Sequence, residues 1–206
     1  IACIKYCREQ MVPYLGICIG FQMAVIEYAR NVCKLPKAGS SEFDRHTPDP
    51  VIDILPEQKK IEGLGGNMRL GGKEVLIKPD TLAAWLFRDE AGMSGQVAKW
   101  PSGQVQGKDA KGKSALWAAG TPGHSATSSA FMIRRRFRHR YEVDPKYIDR
   151  LEAAGLVFSG RHPEHPIMQV LELGPDKHPY FIGAQFHPEL TSRPLRPSPM
   201  FMGLVA

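Results

Sequence analysis

Two short stretches, far apart in the chain, carry residue types that could act together. Gly16-Ile17-Cys18-Ile19-Gly20 sets one cysteine between two glycines. Val12 to Ile17 reads as a short buried strand, and Phe21 to Cys33 as a helix. A cysteine at a sharp strand-to-helix turn has the pattern of a nucleophile elbow, with sulfur in place of a hydroxyl. Flanking glycines suit the close backbone packing of such a turn. The following helix aims its free N–H groups and positive dipole end at the turn, which favours a thiolate over a thiol. A buried structural cysteine at a strand end is the plainer alternative. The second stretch is Gln185-Phe186-His187-Pro188-Glu189, at the end of the apolar run from Tyr180. A thiol needs a base to take its proton and later to protonate a leaving amine. The base needs an acceptor that fixes its tautomer. His187 and Glu189 supply both, and residues two apart on a strand face the same side.

The elements around these residues point to an α/β domain with its reactive groups at strand C-terminal ends. Val25, Tyr28 or Ala29, and Val32 recur at helical spacing and predict a core-facing stripe. Ile1 to Gln10 reads as the end of a helix. Leu156 to Gly160 and Met168 to Leu173 read as paired strands, and Met200 to Val205 as a short closing helix. The chain has 206 residues, 43% of them hydrophobic, enough for one domain with its own core. No apolar run reaches membrane-spanning length. The four cysteines, Cys3, Cys7, Cys18 and Cys33, form no CxxC pair and fit no zinc module. Scattered cysteines in a chain this long predict a reduced, cytoplasmic protein. A start at Ile1, without Met or a charged-then-apolar leader, predicts a piece of a longer chain with no signal peptide.

Several features invite other chemistry. The net charge of +6 and the run Arg134-Arg135-Arg136-Phe137-Arg138-His139-Arg140 suggest a nucleic-acid patch. No aromatic-interleaved module surrounds the run, so an edge strand with one arginine aimed at a carboxylate is the better expectation. Gly63 to Gly72 is glycine-rich but is not GxxxxGK[ST], and it reads as a backbone turn between strands. His162 and His165 fit no metal motif, prolines break any helix there, and no metal is expected. Ala38 to Asp44 reads as a polar loop. Residues 88–131, rich in Gly, Ser, Ala and Lys, show no sustained period and read as a mostly mobile surface insertion.

Gly16-Ile17-Cys18-Ile19-Gly20-Phe21-Gln22 together with Gln185-Phe186-His187-Pro188-Glu189 resembles the class I, or triad, glutamine amidotransferases. Ser40-Ser41-Glu42-Phe43-Asp44, Gly66 to Gly71, Arg138 to Val143 and the tail Gln185 to Pro199 narrow the likeness to the glutaminase domain of the CTP synthase family. These strings cover nearly the whole chain outside residues 88–131. The resemblance implies a three-layer, flavodoxin-like α/β domain with a mostly parallel central sheet between helices. It implies hydrolysis of glutamine to glutamate and ammonia, with Cys18, His187 and Glu189 as the triad. Glutamine would be bound by Ile19, Gly20, Phe21, Gln22, Glu42 and Arg140. The Ile19 N–H would form half of an oxyanion hole. Glu42 would suit the α-ammonium and Arg140 the α-carboxylate.

The resemblance also implies a synthase (amidoligase) domain, absent from these residues, that uses ATP and Mg²⁺ to aminate UTP to CTP. GTP would activate, and the complete chain would form a homotetramer. No cofactor is implied for the glutaminase part itself, and no membrane or nucleic-acid partner. The family's Pro-Gly-Gly loop, with the second oxyanion donor and the first strand, precedes the stretch matched by Ile1. These residues alone are therefore expected to hydrolyse glutamine weakly or not at all. A different triad amidotransferase, a γ-glutamyl hydrolase and a catalytically dead assembly module remain alternatives.

Overall fold

The computed structural model describes residues 1–55, 69–90, 102–108, 114–119 and 129–205. Alternation along the strands divides the core into two halves. On β10 (Met168–Glu172), Leu171 joins one apolar cluster and Val170 the other. On β11 (Phe181–Ala184), Phe181 and Ile182 divide in the same way. Side chains of period two on a strand must face opposite sides of its sheet. The first cluster lies under α1 (Ala2–Glu9), α2 (Ile19–Asn31) and α4 (Ile148–Ala153). The second lies under α3 (Leu82–Phe87) and α5 (Pro199–Val205). Helices thus cover both faces of the sheet, giving the three layers expected of this α/β chain.

The central sheet has six strands in the order β1-β11-β10-β9-β4-β7. Its other members are β1 (Tyr14–Ile17), β4 (Arg69–Ile77), β7 (Phe131–His139) and β9 (Val157–Arg161). Among the described strands of this sheet only β1 and β11 pair in parallel; the other four neighbouring pairs are antiparallel. The expected mostly parallel sheet is therefore corrected to a mixed one. The reason is local. β9, β10 and β11 follow one another through connections too short for a crossover helix, so each must reverse direction.

A second sheet joins β2 (Ala38–Ser40), β3 (Asp49–Asp53) and β8 (Glu142–Val143). Ala38 to Ser40 is thus a buried strand rather than part of a polar loop. Within residues 88–131, β5 (Ser102–Lys108) and β6 (Ser114–Ala119) form an antiparallel pair. Arg88 to Glu90 continues from α3, and Phe131 begins β7. Most other residues of the expected 88–131 insertion, like most of the Gly63–Gly72 stretch, lie outside the described ones. Gly71 and Gly72 lie within β4, where Gly71 takes φ +80.

α2 is buried nearly all round. Phe21, Val25 and Ala29 are fully enclosed, and Glu27, equally enclosed, is paired with Arg8 at 2.8 Å. β7 closes the sheet as an edge strand whose even-numbered arginines, Arg134, Arg136 and Arg138, are exposed. Arg135 points the other way. It reaches Glu90 at 2.7 Å and stacks over Phe87, the carboxylate-directed arginine that the run predicts. The rings of His162 and His165 lie 4.8 Å apart, and among the described residues no group of three side chains could hold a metal. No described helix is long and apolar enough to cross a membrane.

The start of α3 is held from inside the core. Thr81 caps it by accepting from the Ala84 N–H. Buried Glu172 accepts from the N–H groups of Leu82 (2.6 Å) and Ala83 (3.0 Å). Burial pushes the Glu172 carboxyl up from its ordinary value, while these two N–H groups pull it back. Glu172→Ala leaves both donors unpaired and is expected to destabilise the protein by about 3 kcal/mol. Glu172→Gln keeps one acceptor and is expected to lose less than half of that. Thermal unfolding of the two variants checks the difference.

Candidate active site

Cys18 sits where β1 ends and α2 begins, with φ 51 and ψ −102. Such a backbone conformation is strained for a residue with a Cβ and persists only where its surroundings hold it. They do so here on both sides. The Cys18 N–H donates to Ala184 O at the end of β11 (2.8 Å), and the Cys18 carbonyl accepts from the Gln22 N–H (3.2 Å). Gly16 is sterically required. A Cβ there would lie 2.6 Å from the Tyr14 hydroxyl and 2.8 Å from the Gly20 carbonyl carbon. Gly20 is different from what the sequence suggests. A Cβ on it would meet only the Tyr14 hydroxyl, at an ordinary 3.5 Å. Its carbonyl accepts from that hydroxyl at 2.9 Å, and Tyr14 is itself stacked on Phe181.

The sulfur is half-buried. Burial pushes the Cys18 thiol up from its ordinary value; the Ile19 N–H and the Gln185 amide pull it down, whereas the charges of Glu189 and Glu42 push it further up. Attack by this sulfur would therefore call for a base to remove its proton. Gln185 donates to the sulfur from 3.7 Å. The Arg138 carbonyl lies 4.0 Å from the same atom.

His187 and Glu189 are brought together, though not by strand alternation as the sequence suggests. β11 ends at Ala184, and Pro188-Glu189-Leu190 form a 3-10 turn. Pro188 has no N–H to give to a ladder, so the strand cannot continue through it. The turn folds Glu189 back on the imidazole, with His187 Nδ1 to Glu189 Oε1 at 2.6 Å. The His187 N–H is anchored to Arg136 O (2.9 Å), beside the strand that carries Arg138. His187 Nε2 is buried and has no hydrogen-bond partner among the described residues. With Nδ1 bonded to a carboxylate, the neutral ring carries its proton on Nδ1 and its lone pair on Nε2.

A cavity of about 390 Å³ opens beside the sulfur. Cys18, Ile19, Gln22, Glu42, Arg138, His139, Arg140 and Tyr141 line it. It thus gathers four of the six expected glutamine-binding residues, Ile19, Gln22, Glu42 and Arg140. Gly20 and Phe21 are placed otherwise. The Phe21 side chain is wholly buried in the core, so only the main chain of this residue could meet a ligand. The packing reason is that Phe21 lies on the sheet-facing side of α2, its Cα against Gly183.

Two contributors escape the sequence reading. Gln185 carries no charge and follows an apolar strand, so nothing in its type points to the sulfur. His139 hides within the arginine run. It is buried, its Nδ1 donates to Tyr141 O (3.2 Å), and burial pushes it down to about 4, so it stays neutral. Behind it, a Glu142 carboxyl oxygen lies 2.7 Å from Arg69 Nε; burial pushes the carboxyl up to about 8 against the pull of Arg69. This enclosed cluster braces the end of β7, where Arg138 and Arg140 face the cavity.

Known proteins share this arrangement of sequence. The family model for glutamine amidotransferase class-I matches residues 1–206. A CTP synthase of Haloarcula marismortui is 49% identical over 205 residues, covering 100% of this chain and 29% of its own length. A CTP synthase of Thermus thermophilus is 43% identical over 206 residues, covering 98% of this chain and 30% of its own. The chain therefore spans less than a third of the curated relatives it matches. Among solved structures, the glutaminase domain of Trypanosoma brucei CTPS with bound acivicin superposes with a TM-score of 0.72 at 26% identity, covering 100% of this chain and 63% of that one.

Proposed function

Because the chain belongs to the class-I glutamine amidotransferase family, we propose that it is the glutamine-hydrolysing part of a CTP synthase, releasing ammonia for the amination of UTP. The observation that carries the reading is one cavity. It brings a carboxylate, Glu42, and a guanidinium, Arg140, to the side of the Cys18 sulfur. Opposite charges at such a site suit the α-ammonium and α-carboxylate of an amino acid and leave its side-chain amide to the thiol.

On this reading the chemistry runs through Cys18, His187 and Glu189, the triad that the family resemblance implies. His187 Nε2 takes the thiol proton, and the thiolate attacks the carboxamide carbon of glutamine. The Ile19 N–H receives the oxygen as it becomes an oxyanion. The C–N bond breaks as the imidazolium passes its proton to the departing nitrogen, which leaves as ammonia. A γ-glutamyl thioester remains on Cys18. His187 next takes a proton from water, the hydroxide adds to the thioester carbon, and the C–S bond breaks. Glutamate leaves, and the thiolate recovers its proton from His187. Glu189 holds the ring in the tautomer that leaves Nε2 free and balances the imidazolium. On this reading ATP, Mg²⁺ and UTP are handled by a synthase domain beyond these residues, with GTP as activator, in a homotetrameric cytoplasmic enzyme.

Acivicin tests the site directly, since it is bound in the glutaminase domain of the T. brucei protein. Peptide mass spectrometry after incubation should show one adduct, on Cys18, with Cys3, Cys7 and Cys33 unmodified. Excess glutamine should prevent it. An unmodified Cys18, or labelling that glutamine does not slow, would overturn the reading.

A further inference from the structure

Taking the glutaminase reading as its basis, we propose that Gln185 is a second protein contact to the nucleophile, its side-chain amide donating to the Cys18 sulfur and holding the thiolate, with Gln22 as its positioning residue. Gln185 is completely buried, immediately after β11. Its N–H is pinned to Gln169 O at 2.9 Å. Its Nε2 faces the sulfur at 3.7 Å, and its Oε1 accepts from Gln22 Nε2 at 3.1 Å. Gln22 Nε2 also donates to Tyr141 O at 3.1 Å.

The direction of this chain is set by one atom. A main-chain carbonyl can only accept, so the Gln22 group facing Tyr141 must be its NH₂. The same NH₂ then donates to Gln185, which must present its oxygen there. That leaves the Gln185 NH₂ for the sulfur. Flipping either amide would set two acceptors or two donors against each other inside the protein, where an unpaired polar group is costly. The Tyr141 carbonyl is fixed in turn by His139 Nδ1 at 3.2 Å. A line of hydrogen bonds therefore runs from the strand end beside Arg140 to the nucleophile.

The chemistry gives this donor a task that Ile19 cannot fill. The Ile19 N–H also approaches the sulfur, but it is engaged by the oxyanion while the tetrahedral species exists. When the thioester breaks, the leaving group is the thiolate itself. Glu42 and Glu189 oppose its negative charge, and the proton that His187 took from water reaches the sulfur only after the C–S bond has broken. Gln185 stays bonded to sulfur throughout and stabilises the anion both before attack and on departure.

The test follows alkylation of Cys18 by iodoacetamide across pH, read on its own peptide. In Gln185→Leu the pH midpoint should rise by about one unit, making alkylation at pH 7 about tenfold slower. Gln22→Leu should move it the same way by less, and Gln185→Glu, which replaces the donor by an acceptor, at least as far as leucine. An unmoved midpoint in folded Gln185→Leu would overturn the proposal. If that variant does not fold, the unsubstituted protein gives the answer by ¹⁵N NMR. The Gln185 side-chain amide should titrate with the alkylation midpoint and lose that titration in Cys18→Ser; a flat resonance would overturn the proposal equally. Neither readout involves glutamine, so its failure is separate from failure of acivicin labelling.

Discussion

Cys18→Ala should reduce glutamine-dependent ammonia release in the complete protein by at least about 10⁴-fold, leaving only what binding and oxyanion donors achieve without a nucleophile. The fold gives little reason for a stability loss. Alanine has the same Cβ at φ 51, and the two hydrogen bonds that hold the elbow, to Ala184 O and from the Gln22 N–H, are main-chain bonds. Glutamine affinity by calorimetry should therefore remain within a few-fold, because Glu42, Arg140 and Gln22 are untouched. Cys18→Ser is the sharper comparison. It keeps size and donor but offers a far less acidic group to a base that must already act on a raised thiol. It should fall close to the alanine variant. Substantial hydrolysis by either variant would mean that the amide is cleaved without covalent attachment to residue 18.

Much of this site is legible in the sequence because the requirements on it are local. A cysteine at a sharp turn needs Gly16, a short strand before it and a helix after it, and all three lie within a few residues. The helix period over Phe21–Cys33 and the apolar run before His187 are equally local. What the sequence hides depends on partners distant in the chain. Alternation shows that Met168–Leu173 and Tyr180–Phe186 are strands but not that they run antiparallel, because period two is common to both pairings. Ala38 to Ser40 has the composition of a loop and becomes a strand only because β3 lies beside it. Glu189 meets His187 through a proline-enforced turn, so the spacing pointed to a contact that forms by another geometry. Gln185 stands in the same motif, yet its contact with the sulfur depends on Gln22, 163 positions earlier. Gly20 illustrates the converse. Its presence in the motif suggests steric need, whereas the space around it would admit a Cβ.

The second large effect concerns the base. His187→Ala should lower ammonia release by about 10⁴-fold, since on the proposed function the same imidazole serves both the formation and the breakdown of the thioester. The double variant with Cys18→Ala should be hardly worse than either single one, because groups that act as a unit do not contribute additively. Glu189 has a separable part. It bonds Nδ1 at 2.6 Å, but nearly half of its side chain is exposed, so water can partly replace it. Glu189→Gln should cost about 10²-fold, with Cys18 alkylation by iodoacetamide changed less than in His187→Ala. This ordering follows from where the proton travels. On the proposed function it passes through Nε2, the buried nitrogen with no partner among the described residues, whereas Glu189 would only determine which nitrogen is free to receive it. Equal losses for His187→Ala and Glu189→Gln would show that orientation of the ring, and not proton transfer by it, limits the reaction.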